Sequence, residues 1–344
     1  MFAPSVAVTI VTYNSGSFIR RCLEFLFEQD YPNTDIIVVD NASTDGTAEV
    51  LREYEKRIHM IRNRENAGFA AAQNQAIAAS TAEWVLTLNP DVRVSSHFIA
   101  TLVAGGVADP SIGSVCGKLL AMSPDFEIYR EPLLDSTGLY FTPNLRHFDR
   151  GSRVPDTGQY EKFEYVFGAT GAAALYRRKM IEDISIFNEF FDPDFFSYRE
   201  DADVAWRAQL LGWKCLYTPL AVAYHVRNVL PSKRRSLPAA INMHSVKNRW
   251  LMRIKNITPG VYRRNLLSIT LRDCVVIASC LLGEFTSLRA FPLVMAMWPR
   301  MVRKRREIMA RRRSGDDYLA DWFSSAPVSY PAAGLALNEP AFLN

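Results

Sequence analysis

The apolar positions in the first hundred residues alternate between two patterns. Short runs rich in Val, Ile and Leu have the length and composition of buried strands, and the stretches between them repeat apolar residues at helical spacing. The pattern predicts strands at residues 6–12, 35–39, 59–61 and 84–88, and helices around residues 18–26, 47–56 and 69–80. Strands that alternate with helices are typical of a mostly parallel sheet with covering helices, so we expect an α/β fold.

The pattern changes twice further along the chain. From about residue 124 to residue 160 it is irregular and rich in Pro, Asp, Gly and Thr, and long loops of this kind are often lids or substrate-binding loops. A helix is predicted over residues 203–211, and after His225 the segments become long, apolar and basic. We therefore predict a domain over residues 1–228, a helical region over residues 229–325 and a tail over residues 326–344.

The helical C-terminal region combines an apolar stretch with a basic one. Residues 266–298 are strongly apolar, but their longest uncharged piece, residues 274–283, is shorter than the roughly 20 residues that span a bilayer. Residues 300–313 then contain eight Arg or Lys and one acidic residue, Glu307. This order favours helices that lie on an anionic membrane surface. The alternative is a helical subdomain packed on the main domain, with a solvated basic tail.

Composition narrows the class of protein further. Apolar residues make up 49% of the 344 residues, which is typical of a globular chain with a full core. The five cysteines show neither a Cys-x-x-Cys pair nor zinc-ligand spacing, which favours reduced thiols and a cytoplasmic location. No basic segment precedes the first strand, so no signal peptide is expected. The basic cluster lacks interleaved aromatic residues, so no nucleic-acid partner is expected either.

Two acidic residues follow predicted strands, and the carboxyl ends of strands are where open α/β sheets bind ligands. Asp91, in the sequence Asn89-Pro90-Asp91, suits a divalent cation held against a diphosphate, although this tripeptide is also ordinary turn chemistry. Asp40 ends the second strand, where its carboxylate can accept hydrogen bonds from a base imide or a ribose hydroxyl. The alternative is that residues 43–45 simply cap the next helix. Glycine-rich phosphate-binding sequences are absent after the first strand, so a cation on Asp91 is the natural partner for the phosphates.

Glu200 and Asp201 precede a helical apolar pattern, so we expect both in the first turn of a helix, where the dipole favours ionised carboxylates. An ionised carboxylate there can act as a general base toward an acceptor hydroxyl. The alternative is that acidic residues are simply preferred at helix N-termini. His225 follows the apolar run at residues 221–224 and can offer a neutral imidazole to a metal, or serve as a hydrogen-bonded structural residue.

The order and spacing of these motifs are more specific than any one of them. The chain contains, in succession, VTIVTYN at 8–14, VVDNASTDG at 38–46, NAGF at 66–69, LNPD at 88–91, GATGA at 168–172, FDPDFF at 191–196, EDAD at 200–203 and GW at 212–213. Together they resemble family 2 inverting glycosyltransferases of the GT-A fold, in particular the rhamnosyltransferase branch, over roughly residues 5–228. The resemblance implies a GT-A type, Rossmann-like, mostly parallel sheet with covering helices, here followed by a C-terminal helical extension.

The resemblance also implies a role for each candidate residue. Contacts to the nucleotide would come from Thr12, Asn14, Asp40, Asn66, Gly68 and Asn89. Asp91 would hold a divalent cation, Mg²⁺ or Mn²⁺, and His225 would complete its ligand shell. Asn89 stands where the family's Asp-x-Asp motif commonly has its first acidic residue, so this metal site carries less charge. Asp201 would be the catalytic base, and Glu200 would support it or bind the acceptor.

The same resemblance implies the substrates. A single inverting displacement would move a sugar, best matched by L-rhamnose from dTDP-rhamnose, from a nucleotide-sugar donor to a saccharide or lipid-linked saccharide in cell-surface polysaccharide synthesis. The enzyme would act as a peripheral protein at the cytoplasmic face of the inner or plasma membrane. A UDP-sugar donor stays open, because thymine and uracil present the same imide to Asp40. So does a catalytically silent scaffold that binds nucleotide or saccharide.

Overall fold

The computed structural model describes residues 3–227 and 239–332. The predicted boundary at residues 228 and 229 lies outside the described residues, as do residues 333–344 of the tail predicted over residues 326–344. The division into three segments therefore stays a prediction. The strands are β1 (Val6–Thr12), β2 (Thr34–Asp40), β3 (His59–Arg62), β4 (Trp84–Leu88), β5 (Val92–Val94), β6 (Ile112–Ala121), β7 (Leu134–Ser136), β8 (Leu139–Phe141), β9 (His147–Asp149), β10 (Glu164–Val166), β11 (Ala173–Arg177), β12 (Lys214–His225) and β13 (Tyr330–Pro331). The helices are α1 (Ile19–Phe27), α2 (Thr47–Glu53), α3 (Phe69–Ala78), α4 (Phe98–Val107), α5 (Arg178–Ile184), α6 (Glu200–Leu210), α7 (Ala239–Asn256), α8 (Pro259–Leu282), α9 (Ala290–Ala310) and α10 (Asp316–Asp321).

One large sheet organises the molecule. Its strand order is β13-β10-β12-β6-β11-β4-β1-β2-β3, with β5 paired to β12 and β7 paired to β6. Strands β4, β1, β2 and β3 are parallel, whereas β11 runs antiparallel to both of its neighbours. Ile10 lies opposite Leu88 and Thr12 lies opposite Asp40, so the carboxyl ends of these strands meet at one edge. The predicted α/β fold is confirmed, with an antiparallel strand in its middle.

Strand β1 shows why the apolar runs become buried strands. Successive side chains of a strand point to opposite faces. Val8 and Ile10 pack in a core with α1 and α4, and Ala7 and Val11 pack against the small residues of α3. A strand that is covered on both faces needs a continuous apolar run, which is the pattern that the sequence has here.

The sequence pattern located most N-terminal elements closely and missed others. Strands β1 and β4 have their predicted bounds, and β2 extends one residue further at each end. Helix α6 begins at Glu200 rather than at residue 203. The segment from 124 to 160 is less irregular than expected, because it contains the short strands β7, β8 and β9. These strands are only three residues long, which is too short to leave a periodic signal.

The C-terminal helices share one core with the sheet. Ile269 of α8 and Met301 of α9 are buried in the same apolar cluster as Trp206 of α6. The ring of Phe323, just after α10, lies 5.0 Å from that of Trp206 and 5.4 Å from that of Phe141. Strand β13 then pairs with β10 at the edge of the sheet. The helical extension therefore covers one face of the sheet.

The basic cluster at residues 300–313 binds protein groups. Lys304 is buried and contacts the carboxylates of Asp192 and Asp194 at 2.5 and 2.7 Å. Arg305 donates to the carbonyl of Ile257 at 2.6 Å, and Arg311 donates to backbone carbonyls at the end of α5. These bound cations agree with the alternative interpretation, a helical subdomain packed on the main domain, whereas Arg303 and Arg306 are exposed; which cations would be bound could not be predicted from the sequence. The reason is that the negative groups which they bind are distant in sequence.

Helix α8 leaves a line of apolar side chains uncovered. Leu267, Leu271, Val275 and Leu282 repeat at helical spacing, and 73% of Leu267 and 84% of Leu282 are exposed. Among the residues that the structure describes, α8 is the one helix long and apolar enough to cross a membrane. We call Leu267, Leu271, Val275 and Leu282 the apolar stripe.

Candidate active site

The segment after strand β4 and the end of strand β12 form the first wall of the site. Residues Asn89 to Asp91 follow β4, and β12 ends at His225, which lies opposite Val92 of β5. The backbone N–H of Val226 donates to the carbonyl of Asp91 at 3.1 Å and holds the two segments together. Asn89, Asp91 and His225 all line a cavity of about 380 Å³, which we call the donor cavity.

Three charged side chains connect in this wall. The imidazole of His225 has its Nε2 3.3 Å from Oδ1 of Asp91 and its Nδ1 2.8 Å from Oδ2 of Asp135. Burial alone would lower the pKa of His225, but the charges of Asp91 and Asp135 outweigh it and raise the pKa to about 10. Burial alone would raise the pKa of Asp91, but His225 holds the pKa of that carboxyl below its usual range. Asp91 and His225 therefore form a buried ion pair when no cation lies between them.

Asp135, Asp149 and Arg227 belong to the site although the sequence did not single them out. Arg227 places Nε 2.8 Å from Asp135 and a terminal nitrogen 2.6 Å from Asp149. Burial tends to lower the pKa of Arg227, but the two carboxylates raise it overall. A weak signal was present, since Arg227 lies two residues after His225 and both carboxylates fall in the segment expected to be functional.

The donor set of this wall fits a divalent cation that shares its shell with a diphosphate. A metal-binding histidine characteristically gives its other ring nitrogen to a carboxylate, and Asp135 does this for His225. One or two protein ligands suffice where substrate phosphates and water supply the rest, as is usual for Mg²⁺. Within residues 3–227 and 239–332, no group of three or more His, Cys, Asp or Glu side chains is arranged to hold a metal ion. Asp91 and His225 would therefore need the diphosphate to complete the shell.

Helix α6 supplies the opposite wall. Glu200 and Asp201 occupy its first turn, as expected, and both line the donor cavity. Asp201 accepts hydrogen bonds from the N–H of Gly171 at 3.1 Å and of Ala202 at 2.7 Å. The residues just before the helix, Tyr198 and Arg199, have φ of 68° and 73°, a left-handed conformation that such side chains adopt at a cost of about 1–3 kcal/mol.

Burial governs the protonation of this carboxylate pair. Burial and then the charge of Asp201 raise the pKa of Glu200 to about 8, and burial also raises the pKa of Asp201, although two N–H donors oppose the shift. Oε2 of Glu200 is buried and accepts no hydrogen bond from the described residues. For Glu200 this differs from the expectation that the helix dipole keeps the group ionised, because the loss of solvent outweighs the dipole.

The remaining predicted nucleotide residues do not line the donor cavity. Thr12 donates to Asp40 at 3.3 Å, Asn14 accepts from the N–H of Thr44 at 2.8 Å, and Asn66 accepts from the N–H of Gly68 at 2.9 Å. The first two bonds join the loops after β1 and β2, and Asn41 joins the loop after β3 to them by donating to Asn66 at 2.8 Å. The alternative role of residues 43–45 is realised too, because Asp45 accepts from the N–H of Thr47 at the start of α2.

Gly68 lies against the loop that precedes α6. Its φ is +84°, and a Cβ atom there would lie 2.6 Å from the ring of Phe196 and 2.7 Å from its carbonyl oxygen. The N–H of Ala70 donates to the same carbonyl at 3.2 Å. The loop after β3 is therefore seated directly on the segment that carries the carboxylate pair.

A second cavity, of about 470 Å³, opens on the other side of the carboxylates. Tyr198, Glu200, Asp201 and Arg227 line both cavities. The rest of its wall comes from β9 and from helices α7 and α8. We call it the helix cavity. The two carboxylates thus stand between two binding spaces.

Comparison with known proteins bears on this arrangement. The profile "Glycosyl transferase family 2" matches residues 7–185, more than half of the chain. An N-acetylglucosaminyl-diphospho-decaprenol L-rhamnosyltransferase of Mycobacterium tuberculosis is 28% identical over 239 residues, which are 63% of this chain and 75% of that protein. A poly-beta-1,6-N-acetyl-D-glucosamine synthase of Staphylococcus epidermidis is 20% identical over 225 residues, 64% of this chain and 49% of that protein. Among several curated relatives, the share of their length that the chain covers runs from 14% to 75%.

The fold has solved counterparts. The mannosyltransferase PcManGT from Pyrobaculum calidifontis, in complex with GDP-Man and Mn²⁺, superposes with a TM-score of 0.52 at 18% identity. The superposition covers 90% of this chain and 86% of that one. The chain therefore has the GT-A type of mixed, mostly parallel sheet with helices, followed by C-terminal helices.

Proposed function

The chain belongs to glycosyl transferase family 2, and we propose that it moves a sugar from a nucleoside diphosphate to a saccharide acceptor with inversion at the anomeric carbon. One observation carries this proposal. A carboxylate pair borders two cavities, and in one of them the acid Asp91 lies 3.3 Å from the imidazole of His225, a pair suited to a diphosphate-bound cation. An inverting transferase needs space on both sides of the reacting carbon, because the acceptor hydroxyl must attack the anomeric carbon from the side opposite to the departing diphosphate.

The donor cavity is assigned to the nucleotide sugar. Asp91 and His225 would hold the divalent cation, Mg²⁺ or Mn²⁺, and Asn89 would contribute a neutral oxygen. Bound there, the cation would neutralise charge on the departing diphosphate as a Lewis acid. Asp135 fixes the orientation of His225, and His225 must lose its proton before it binds a metal, so cation affinity should rise with pH. Thr12, Asn14, Asp40, Asn66 and Gly68 are assigned to the nucleoside side, in the loops beside the cavity.

Asp201 is assigned as the general base. The N–H groups of Gly171 and Ala202 hold its carboxylate in place, and the raised pKa makes it a stronger proton acceptor than an exposed aspartate. It would take the proton of the acceptor hydroxyl while that oxygen attacks the anomeric carbon. The bond from this carbon to the diphosphate oxygen breaks in the same step, and no covalent enzyme intermediate forms. Glu200 would bind the acceptor or support the base.

The setting of the reaction is assigned to the cytoplasmic face of a membrane. The apolar stripe on α8 faces solvent, and a line of this kind is typical of a helix that lies in a membrane interface. By their names, one relative described above is a rhamnosyltransferase of N-acetylglucosaminyl-diphospho-decaprenol, and another is a synthase of poly-beta-1,6-N-acetyl-D-glucosamine. We therefore assign the acceptor as a lipid-linked saccharide in cell-surface polysaccharide synthesis, with a peripheral enzyme.

The donor is assigned as dTDP-L-rhamnose. The rhamnosyltransferase of Mycobacterium tuberculosis supports this choice, since its similarity covers 63% of this chain. A UDP-sugar is the competing donor, because Asp40 would meet the same imide in either base. Binding data with both nucleotides separate the two.

Calorimetry with dTDP and UDP, with and without Mn²⁺, tests the proposal. We expect binding that depends on Mn²⁺ and is lost in Asp91→Ala, because that variant removes the carboxylate that is assigned to the cation. The exposed Asp317→Ala serves as the matched control and should bind as the unchanged protein does. If neither nucleotide binds under any condition, the chain is a silent scaffold and the proposal is wrong.

A further inference from the structure

We propose that the helix cavity binds the diphosphate and the first isoprenoid units of a lipid-diphosphate acceptor. This inference rests on the proposed function, and it names the residues that hold the lipid end of the acceptor. The cavity has a polar, cationic part beside the carboxylate pair and an apolar part beneath α8. An acceptor with a sugar, a diphosphate and a chain presents the same order of groups.

The cationic part contains five arginines, and two of them have a buried N–H without a hydrogen-bond partner among the described residues. Arg146, Arg199, Arg227, Arg249 and Arg272 line the cavity, against the acidic residues Glu200, Asp201 and Glu284. Arg249 is only 5% exposed, and although Asp273 binds one of its terminal nitrogens at 3.0 Å, its Nε is buried with no hydrogen-bond partner in the described residues. The Nε of Arg272 is likewise buried and has no hydrogen-bond partner in the described residues.

Unsatisfied buried donors are costly, and a ligand with several acceptor oxygens removes that cost. Guanidinium groups match phosphate oxygens with two parallel hydrogen bonds, which a lone ammonium cannot do. Asp273 already neutralises much of the charge of Arg249, so Arg272 supplies the larger part of the free attraction. The pair Arg249 and Arg272 is therefore the diphosphate site of this cavity.

The apolar part of the cavity leads toward the membrane-facing side of α8. Val276 and Cys280 of α8 and Ile241 and Val246 of α7 line it. On the same helix, the apolar stripe points away into solvent. A single helix thus separates the cavity from the surface assigned to the bilayer, so a lipid chain can enter beside α8 while its diphosphate meets Arg272.

The position relative to the base agrees with this assignment. Glu200 and Asp201 line the helix cavity as well as the donor cavity, so a sugar bound between the arginines and the carboxylates would present its hydroxyl to Asp201. The donor diphosphate has its own site at Asp91 and His225 on the other side. Two diphosphates can therefore be bound at once, one at Asp91 and His225 and the other at Arg249 and Arg272.

The test is calorimetric binding of farnesyl diphosphate to the full chain, in a neutral detergent and with saturating nucleoside diphosphate and Mn²⁺ to block the donor cavity. We expect farnesyl diphosphate to bind at least about tenfold more tightly than farnesol or inorganic pyrophosphate, since each lacks one half of the recognition. Arg272→Gln should weaken binding by about tenfold or more. Val276→Glu should weaken it too, by placing a negative charge in the apolar part.

Arg263→Gln is the matched control, because Arg263 is an exposed arginine of the same helix outside the cavity. Its affinity for farnesyl diphosphate should be unchanged. Equal affinity for farnesol and farnesyl diphosphate, or equal affinity of Arg272→Gln and Arg263→Gln, would overturn the inference. Binding of the nucleoside diphosphate is measured separately in each variant, so loss of the lipid site leaves the proposed function intact, and loss of nucleotide binding in the unchanged protein defeats that function instead.

Discussion

Helix α6 carries two groups of carboxylates with opposite environments. Glu200 and Asp201 face the cavities, and no cationic side chain bonds directly to either of them in the part of the chain that the structure describes. Asp203, less than one turn further on, is fully buried and is bound by Lys255, Arg207 and Asn256 at 2.7 to 3.0 Å. Carboxylates that are close in sequence therefore have different roles, since Glu200 and Asp201 face the cavities and Asp203 belongs to a buried network.

The difference lies in how each charge is compensated. Asp192 lies beside Asp203 in the same buried network, and although burial tends to raise its pKa, Lys255 and Lys304 lower it far below the usual range. Glu200 has burial without a cation, and its pKa rises. A fully paired carboxylate is unavailable to substrates, and removal of its partner destabilises the fold, whereas an unpaired buried carboxylate itself destabilises the fold and is available for proton transfer.

Asp201→Asn should remove the catalytic function of the unpaired carboxylates. We expect turnover to fall by about 10²–10⁴, because the variant cannot accept a proton, while thermal stability and nucleoside diphosphate binding stay unchanged. Transfer is measured as release of nucleoside diphosphate with acceptor present. Turnover within tenfold of the unchanged protein would refute the assignment, and a larger loss in Glu200→Gln would move the base to Glu200.

Lys304→Met should destabilise the fold by disrupting the network of paired carboxylates. Asp192 and Asp194 would lose a buried cation, and removal of one partner from such a network costs about 3–5 kcal/mol of the free energy of unfolding. Urea denaturation measures this. Arg306→Met, an exposed position on the same helix α9, is the control and should change stability little. If both variants unfold at the same urea concentration, the buried network contributes nothing.

Glu200→Gln sharpens the contrast through its pH dependence. The pKa of Glu200 is raised from about 4.5 to about 8 in the folded chain, so the folded state binds more protons and stability falls as pH rises through this window. We expect the variant to be more stable than the unchanged protein at pH 9, on the order of 1–3 kcal/mol, and equally stable near pH 4. Thermal unfolding across this range, with the exposed Glu28→Gln as control, measures the difference. If the variant is stabilised equally at both pH values, the titration of Glu200 is not the cause of the stabilisation.

Much of the sheet could be predicted from the sequence because its strands are local signals. The run that forms β4 has its predicted bounds, and Asp91 and His225 were both placed at strand ends. Their contact could not be predicted, since it arises from pairing of β5 with β12 across more than a hundred residues. The partners of Lys304 and the role of Asp135 stayed hidden for the same reason, because charges that meet only in the folded chain leave no periodic pattern.

Gly68 lies against the ring and carbonyl of Phe196, four residues before Glu200. The residue has no functional group, and what it contributes is room. Any larger residue would push on the segment that leads into α6, and so would shift the carboxylates that it never touches. A glycine of this kind is required because no side chain fits at its position. It thereby fixes the spacing of an active site, just as an aspartate supplies its chemistry.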